Sequence, residues 1–180
     1  MKLKTFIDMV IATAEIETED LSTSEHNRLR QKIMMYANIG MDAIARETFP
    51  LERGTIKQGP QDMTLSEDWI KILHCRGGKT ERYVDEQGKE HLILAEKKEY
   101  RITYTQLPQF IKSLEEDYTF EFPLQVINAL IYYCAYHILS TANDKREYAY
   151  FLTMYNQQCA NIVENLPKRA RIEGGVSFGI

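Results

Sequence analysis

The spacing of apolar residues along this chain changes twice. Over residues 2 to about 17, Phe6, Ile7, Val10, Ile11 and Ala14 recur every three or four positions, which predicts a helix with one buried face. A polar, acidic turn follows at 17–20. Ser22-Thr23-Ser24-Glu25 then predicts a helix start. The Ser22 hydroxyl accepts from an early backbone N–H while Glu25 reaches back to the cap. The second helix carries Leu29, Ile33, Tyr36, Ala37, Gly40, Met41 and Ile44 on one stripe, with Gly40 admitting a close neighbour and Pro50 marking the stop.

From Gly54 to Thr105 the period shortens. Gly59-Pro60, Gly77-Gly78 and residues 85–88 are turn signals. Between them lie Met63 and Leu65, Trp69 to Leu73, Tyr83-Val84, His91 to Ala95, and the alternating Tyr100, Ile102 and Tyr104. These predict about four short strands in a small antiparallel meander. Leu107-Pro108 closes the stretch, and a short helix is expected over 109–116. Phe122-Pro123 opens a longer helix with a wide apolar face (Val126, Ile127, Leu130, Ile131, Cys134, Ile138, Leu139). After a short link at 141–144, Tyr148, Phe151, Leu152, Tyr155, Cys159, Ile162, Val163 and Leu166 mark its antiparallel partner, which Pro167 stops.

Outer helices of this kind bury their stripes against one another. The expected fold class is therefore α+β, mainly α, in one domain spanning 1–180. A helical bundle (1–50 and 107–166) carries a small antiparallel β insertion (54–105) and an extended C-terminal arm (167–180). A length of 180 residues suits one domain. The net charge of −4 provides no basic field for gripping nucleic acid, though DNA can pass such a surface without sticking. Cys75, Cys134 and Cys159 have no metal-type spacing and are expected to be reduced thiols in a protein made in the cytosol. The N-terminal apolar run is too broken for a signal peptide, and no stretch is long enough to span a bilayer.

Candidate chemistry is sparse. Gly78-Lys79-Thr80 resembles the end of a phosphate-binding loop, but Leu73 stands where that loop needs glycine, and a strand is expected to follow instead of a helix. His74 and Cys75 are strand neighbours that point to opposite faces. His26, His91 and His137 are isolated, and Glu115-Glu116-Asp117 suits a solvated turn. No catalytic, cofactor or metal set is expected. Two features point instead to protein contacts. Tyrosines crowd the last two helices, and Tyr132, Tyr133, Tyr136 and Tyr150 are candidates for an inter-subunit interface. The tail places Lys168, Arg169, Arg171 and Ile172 before a Gly174-Gly175 hinge and the alternating Val176, Phe178 and Ile180, a pattern suited to an arm that docks on a partner.

Three stretches carry a family likeness: Met63-Thr64-Leu65-Ser66-Glu67-Asp68-Trp69-Ile70-Lys71-Ile72, with Ser66 where proline is common; Tyr100 through Pro108; and the helix pair from Phe122-Pro123 through Tyr155-Asn156. In these the chain resembles the head-to-tail adaptor (head–tail connector) proteins of tailed bacteriophages, including the tail tubular protein A group. The resemblance implies a structural virion protein and no enzyme. It implies a ring, typically of twelve copies, in the virion neck beneath the portal, assembled in the host cytoplasm. Partners would be the portal, tail or neck proteins and further copies of itself, with double-stranded DNA only as transiting cargo and no membrane. By position, Pro167 to Ile180 would contribute to portal attachment. Two alternatives stand beside it: another phage interaction module, such as a tail-completion protein or host-factor inhibitor, and a small nucleotide-binding enzyme using the Gly77–Thr80 tip.

Overall fold

The structure, a computed structural model, describes residues 1–140 and 145–165, with side chains in the last helix from 148 onward. The order of elements is α1 (Leu3–Thr13), α2 (Thr23–Glu47), β1 (Leu51–Gln58), β2 (Gln61–Thr64), β3 (Trp69–Arg76), β4 (Thr80–Val84), β5 (Glu90–Leu94), β6 (Glu99–Gln106), α3 (Leu124–Leu139) and α4 (Lys145–Asn165). They gather into two compact units. One joins Met1–Phe49 to the described part of Pro108–Leu166 and holds the helices; the other, Pro50–Leu107, holds the strands.

This corrects the expected fold class. With two three-stranded antiparallel sheets, and with 44% of the described residues helical against 25% in strands, this is a sheet-rich α+β fold, not a helical bundle with a small β insertion. The physical reason is that the strands have an interior of their own. Ile72, Leu92, Leu94, Tyr100 and Ile102 form a buried cluster, with Met63, Leu65, Trp69, Cys75 and Tyr104 packed against it. The meander is corrected too, because the sheet orders are β1-β6-β3 and β2-β5-β4. Strand β1 pairs along its whole length with β6, from Leu51 opposite Gln106 to Gln58 opposite Glu99. Its side chains are mostly exposed. Backbone pairing therefore holds β1 in place, and its residues give little apolar signal.

In the helical unit α3 is the centre. Val126, Ile127, Ala129, Leu130, Ile131, Cys134, Ala135 and Ile138 are all buried, so the helix is apolar on nearly every side. Helices α1, α2 and α4 each pack against it. Gly40 lies at the α2–α3 crossing, where an added Cβ would come within 2.5 Å of Leu130 Cδ1 and 2.7 Å of Tyr133 Cδ1. The expected helix over 109–116 is absent. There the Asn38 amide donates to the Ile111 carbonyl at 2.9 Å and accepts from its N–H at 2.9 Å, tying an irregular segment to α2. Further on, Leu3 N–H donates to the Tyr118 carbonyl and Phe120 N–H to that of Met1, both at 3.0 Å. Phe6 meets Phe120 with ring centroids 4.6 Å apart.

The start of α2 follows from local chemistry. Ser22 Oγ accepts from Glu25 N–H at 3.3 Å, and the Glu25 carboxylate accepts from Ser22 N–H at 2.9 Å. Donation to the Glu25 carboxylate by the Ser22 hydroxyl at 2.6 Å, and after it by the Ser22 N–H, holds the Glu25 pKa below the usual carboxylate value. The carboxylate half of the cap therefore contributes fully above that usual value and is lost as pH falls through the lowered one, while the bond from Glu25 N–H to Ser22 Oγ does not titrate. Ser22→Ala is expected to lower stability by about 0.5–2 kcal/mol, read from the urea midpoint. An unchanged midpoint would mean that the cap carries no stability in solution.

Candidate interaction surfaces

The tyrosine cluster resolves into inward and outward members. His137 on α3 stacks on Tyr36 of α2 with centroids 4.9 Å apart and planes at 17°. Tyr133 and Tyr136 close on the same imidazole at 4.4 and 4.7 Å. Burial lowers the His137 pKa and favours the neutral ring. Burial also raises the Tyr133 pKa, with smaller contributions from Cys134, Tyr136 and Tyr36. Tyr155 of α4 meets Tyr133 edge-on at 5.3 Å, and Tyr148 meets Tyr136 at 5.8 Å. Tyr132 lies 6.4 Å from Phe151 and packs on the small core of Ala14, Ala135 and Phe151. Of the four tyrosines singled out in the sequence, Tyr132, Tyr133 and Tyr136 are thus half-buried and engaged within the helical unit. Tyr150 alone is strongly exposed, at 57%.

Other apolar side chains face outward where the sequence pattern did not single them out. Met35 and Ile39 on α2 are about half exposed, and Leu124 at the start of α3 is 61% exposed. Met35 and Ile39 are four residues apart, so they share one face of α2. That face turns away from the stripe of Ile33, Ala37, Gly40, Met41 and Ile44. The signal was present in the sequence as a second apolar pair off the main stripe. Ile56 and Val84 are exposed on the strand unit. Lys168, Arg169, Arg171, Ile172, Val176, Phe178 and Ile180 lie outside the described residues.

The Gly77-Gly78-Lys79-Thr80 tip is a packing device. Gly77 has φ +141°, and a Cβ there would sit 2.2 Å from the Glu99 carbonyl oxygen. A Cβ on Gly78 would sit 2.7 Å from the Tyr100 hydroxyl oxygen. That hydroxyl donates to the Lys79 carbonyl at 3.1 Å and accepts from Glu96 N–H at 2.9 Å. The Glu96 carboxylate takes the Lys79 N–H at 3.1 Å. Strand β4 begins at Thr80, so no helix N-terminus is available here to cradle phosphate.

At one end of the strand unit is an open cavity of about 590 Å³. One wall is Thr64 to Glu67 with Trp69, and the other runs from Gln87 to Glu90. Trp69 is held by stacking on Tyr104 at 3.5 Å. The lining mixes Glu67 and Glu90 with Lys89, so it presents no single charge to a ligand. Near it His91, isolated in sequence, meets two carboxylates in space. Among the described residues no group of three His, Cys, Asp or Glu could hold a metal ion, and no helix is long and apolar enough to cross a membrane. Cys75, Cys134 and Cys159 are free thiols, and burial raises the pKa of both Cys75 and Cys134. Compared with known proteins, the chain matches no protein-family model and no curated sequence.

Proposed function

We propose that this chain is a structural adaptor of a tailed-phage neck, assembling with copies of itself into a ring between portal and tail through which viral DNA passes. The observation that carries this reading is apolar surface left outward on separate elements of one unit: Met35 and Ile39 on α2, and Tyr150 on α4. A ring needs a heterologous contact, in which two different patches of one subunit meet on its neighbours. Covering side chains of this kind contributes about 1 kcal/mol each when they are already half-buried. The likeness of the strand entry at 63–72 and of the helix pair from 122 to the connector family supports the same role. So does a net charge of −4, which lets DNA slide without being gripped. Portal and neighbouring tail proteins are the partners in this reading, with residues 168–180 as one contact. The adaptor reading is also consistent with a Gly77–Thr80 tip whose glycines pack on Glu99 and Tyr100 and which leads into a strand.

The test is electron microscopy of the full chain mixed with the portal of the same phage. Added ring density beneath the portal is the expected result. Ile39→Glu is expected to abolish the ring while leaving the circular dichroism spectrum unchanged. Removal of 167–180 is expected to weaken portal binding at least tenfold. Portal particles that remain bare at saturating full-length chain would overturn the proposal.

A further inference from the structure

The β2-β5-β4 sheet carries a polar cluster on the face away from its buried leucines. His91, on β5, sits opposite Thr64 on β2 and Tyr83 on β4. Its Nδ1 lies 3.1 Å from Asp62 Oδ1, and its Nε2 lies 3.2 Å from Asp85 Oδ2. The Tyr83 ring stacks on the imidazole at 4.6 Å, and its hydroxyl donates to Asp62 Oδ2 at 2.7 Å. Asp85 also holds the β4–β5 turn, accepting from Gln87 N–H at 2.9 Å and Lys89 N–H at 2.8 Å through Oδ1. The histidine side chain is only 15% exposed.

Ionised carboxylates only accept hydrogen bonds. A neutral imidazole has one N–H and one lone pair, so it can satisfy Asp62 or Asp85 but sets a lone pair against the other. The imidazolium donates to both. We propose that His91 is a pH-operated pin: protonated, it ties β2 to the β4–β5 turn, and its deprotonation releases one tie and loosens the turn that forms one wall of the cavity.

The remaining charges nearby do not substitute for it. Glu81, on the same face of β4, is paired with Lys79 at 3.4 Å, and Lys89 and Glu90 precede His91 in the chain. Arg82 alternates to the opposite face of β4. Burial by itself lowers the His91 pKa, but the bonds and charges of Asp62 and Asp85 outweigh it and the net direction is upward. Asp62 is shifted down, by the Tyr83 bond first. Asp85 is also shifted down, by the Lys89 N–H first. For a group raised on folding, the stabilisation is complete below the unfolded value of about 6.5 and is lost as pH rises through the folded value. The pin therefore opens on the alkaline side of that value.

The experiment is an NMR titration of the full chain, following the His91 ring proton together with hydrogen-exchange protection at the Gln87 and Lys89 amides. The His91 midpoint is expected above about 6.5, and both protection factors, corrected for intrinsic exchange, are expected to fall across that same midpoint. His137, buried among tyrosines, is expected to titrate below the ordinary value and serves as an internal contrast. In His91→Gln the protection step disappears. Asp62→Asn keeps a partner for Tyr83, so it is expected to remain folded while moving the His91 midpoint down. A His91 midpoint at or below the ordinary value, or protection at Gln87 and Lys89 that ignores the His91 titration, would overturn the proposal.

Discussion

Tyr100→Ala is expected to cost about 3–5 kcal/mol and to strip protection from the strand amides, the largest effect of any substitution considered for this chain. Tyr100 is fully buried on β6, at the centre of the cluster formed by Ile72, Leu92, Leu94 and Ile102. Glycines approach it from two turns: Gly59 and Gly78 would each place a Cβ within 3 Å of its side chain. Truncation leaves a cavity that these turns cannot fill without breaking strand pairing. The hydroxyl has a separable role, because it satisfies both the Lys79 carbonyl and the Glu96 N–H. Tyr100→Phe keeps the ring and orphans those two groups, at an expected cost of about 1–3 kcal/mol. Urea titrations of the two variants divide packing from hydrogen bonding. A loss below about 1 kcal/mol in the alanine variant would show that the strand unit does not depend on this core.

The second large effect is expected at Gly40, where two opposing contributions can be weighed. Any residue with a Cβ gains helix propensity over glycine, about 1 kcal/mol for alanine and roughly half that for valine. Against this stands the α2–α3 contact, since the new Cβ would fall within 2.7 Å of both Leu130 and Tyr133. Leu130 is fully buried, so its side chain can move aside only by displacing the core around it. Overpacking of this kind costs about 1–3 kcal/mol and rises with the size of the added group. Gly40→Val is therefore expected to destabilise by about 1–3 kcal/mol, with Gly40→Ala less affected because propensity offsets part of the clash. Thermal unfolding of the three proteins checks the order glycine, alanine, valine from most to least stable. A valine variant as stable as the parent would mean that the two helices stand further apart than this contact requires.

Both substitutions sit where sequence and structure met with unequal success. Gly40 was legible as a point of close helix approach because it interrupts an otherwise regular apolar stripe. The start of α2 was legible because the Ser22–Glu25 exchange is complete within four residues. Strand β6 was legible because Tyr100 and Ile102 alternate with polar neighbours. Strand β1 was not, since Glu52, Arg53, Thr55 and Lys57 look like a loop until β6 supplies hydrogen-bond partners some fifty residues away. That omission made the sheets seem an appendage and led to the wrong fold class. The segment at 109–116 failed for the converse reason. Its local pattern allowed a helix, but Asn38 on α2 competes successfully for the Ile111 backbone.

The candidate sites divide in the same way. Aromatic crowding on α3 and α4 was visible as composition, yet which tyrosines turn inward depended on where α2 placed Tyr36 beside His137. The His91 cluster draws Asp62, Tyr83 and Asp85 from three parts of the strand unit, and no spacing along the chain announces it. By itself the order of residues determined the start of α2, its buried stripe and the turns between the strands, because the Ser22–Glu25 cap, helical periodicity and glycine act within a few residues. Only the tertiary structure decided the sheet orders, the fold class and the charge clamp on His91, because each depends on groups far apart in the chain whose bonds exist only once the backbone has closed on itself.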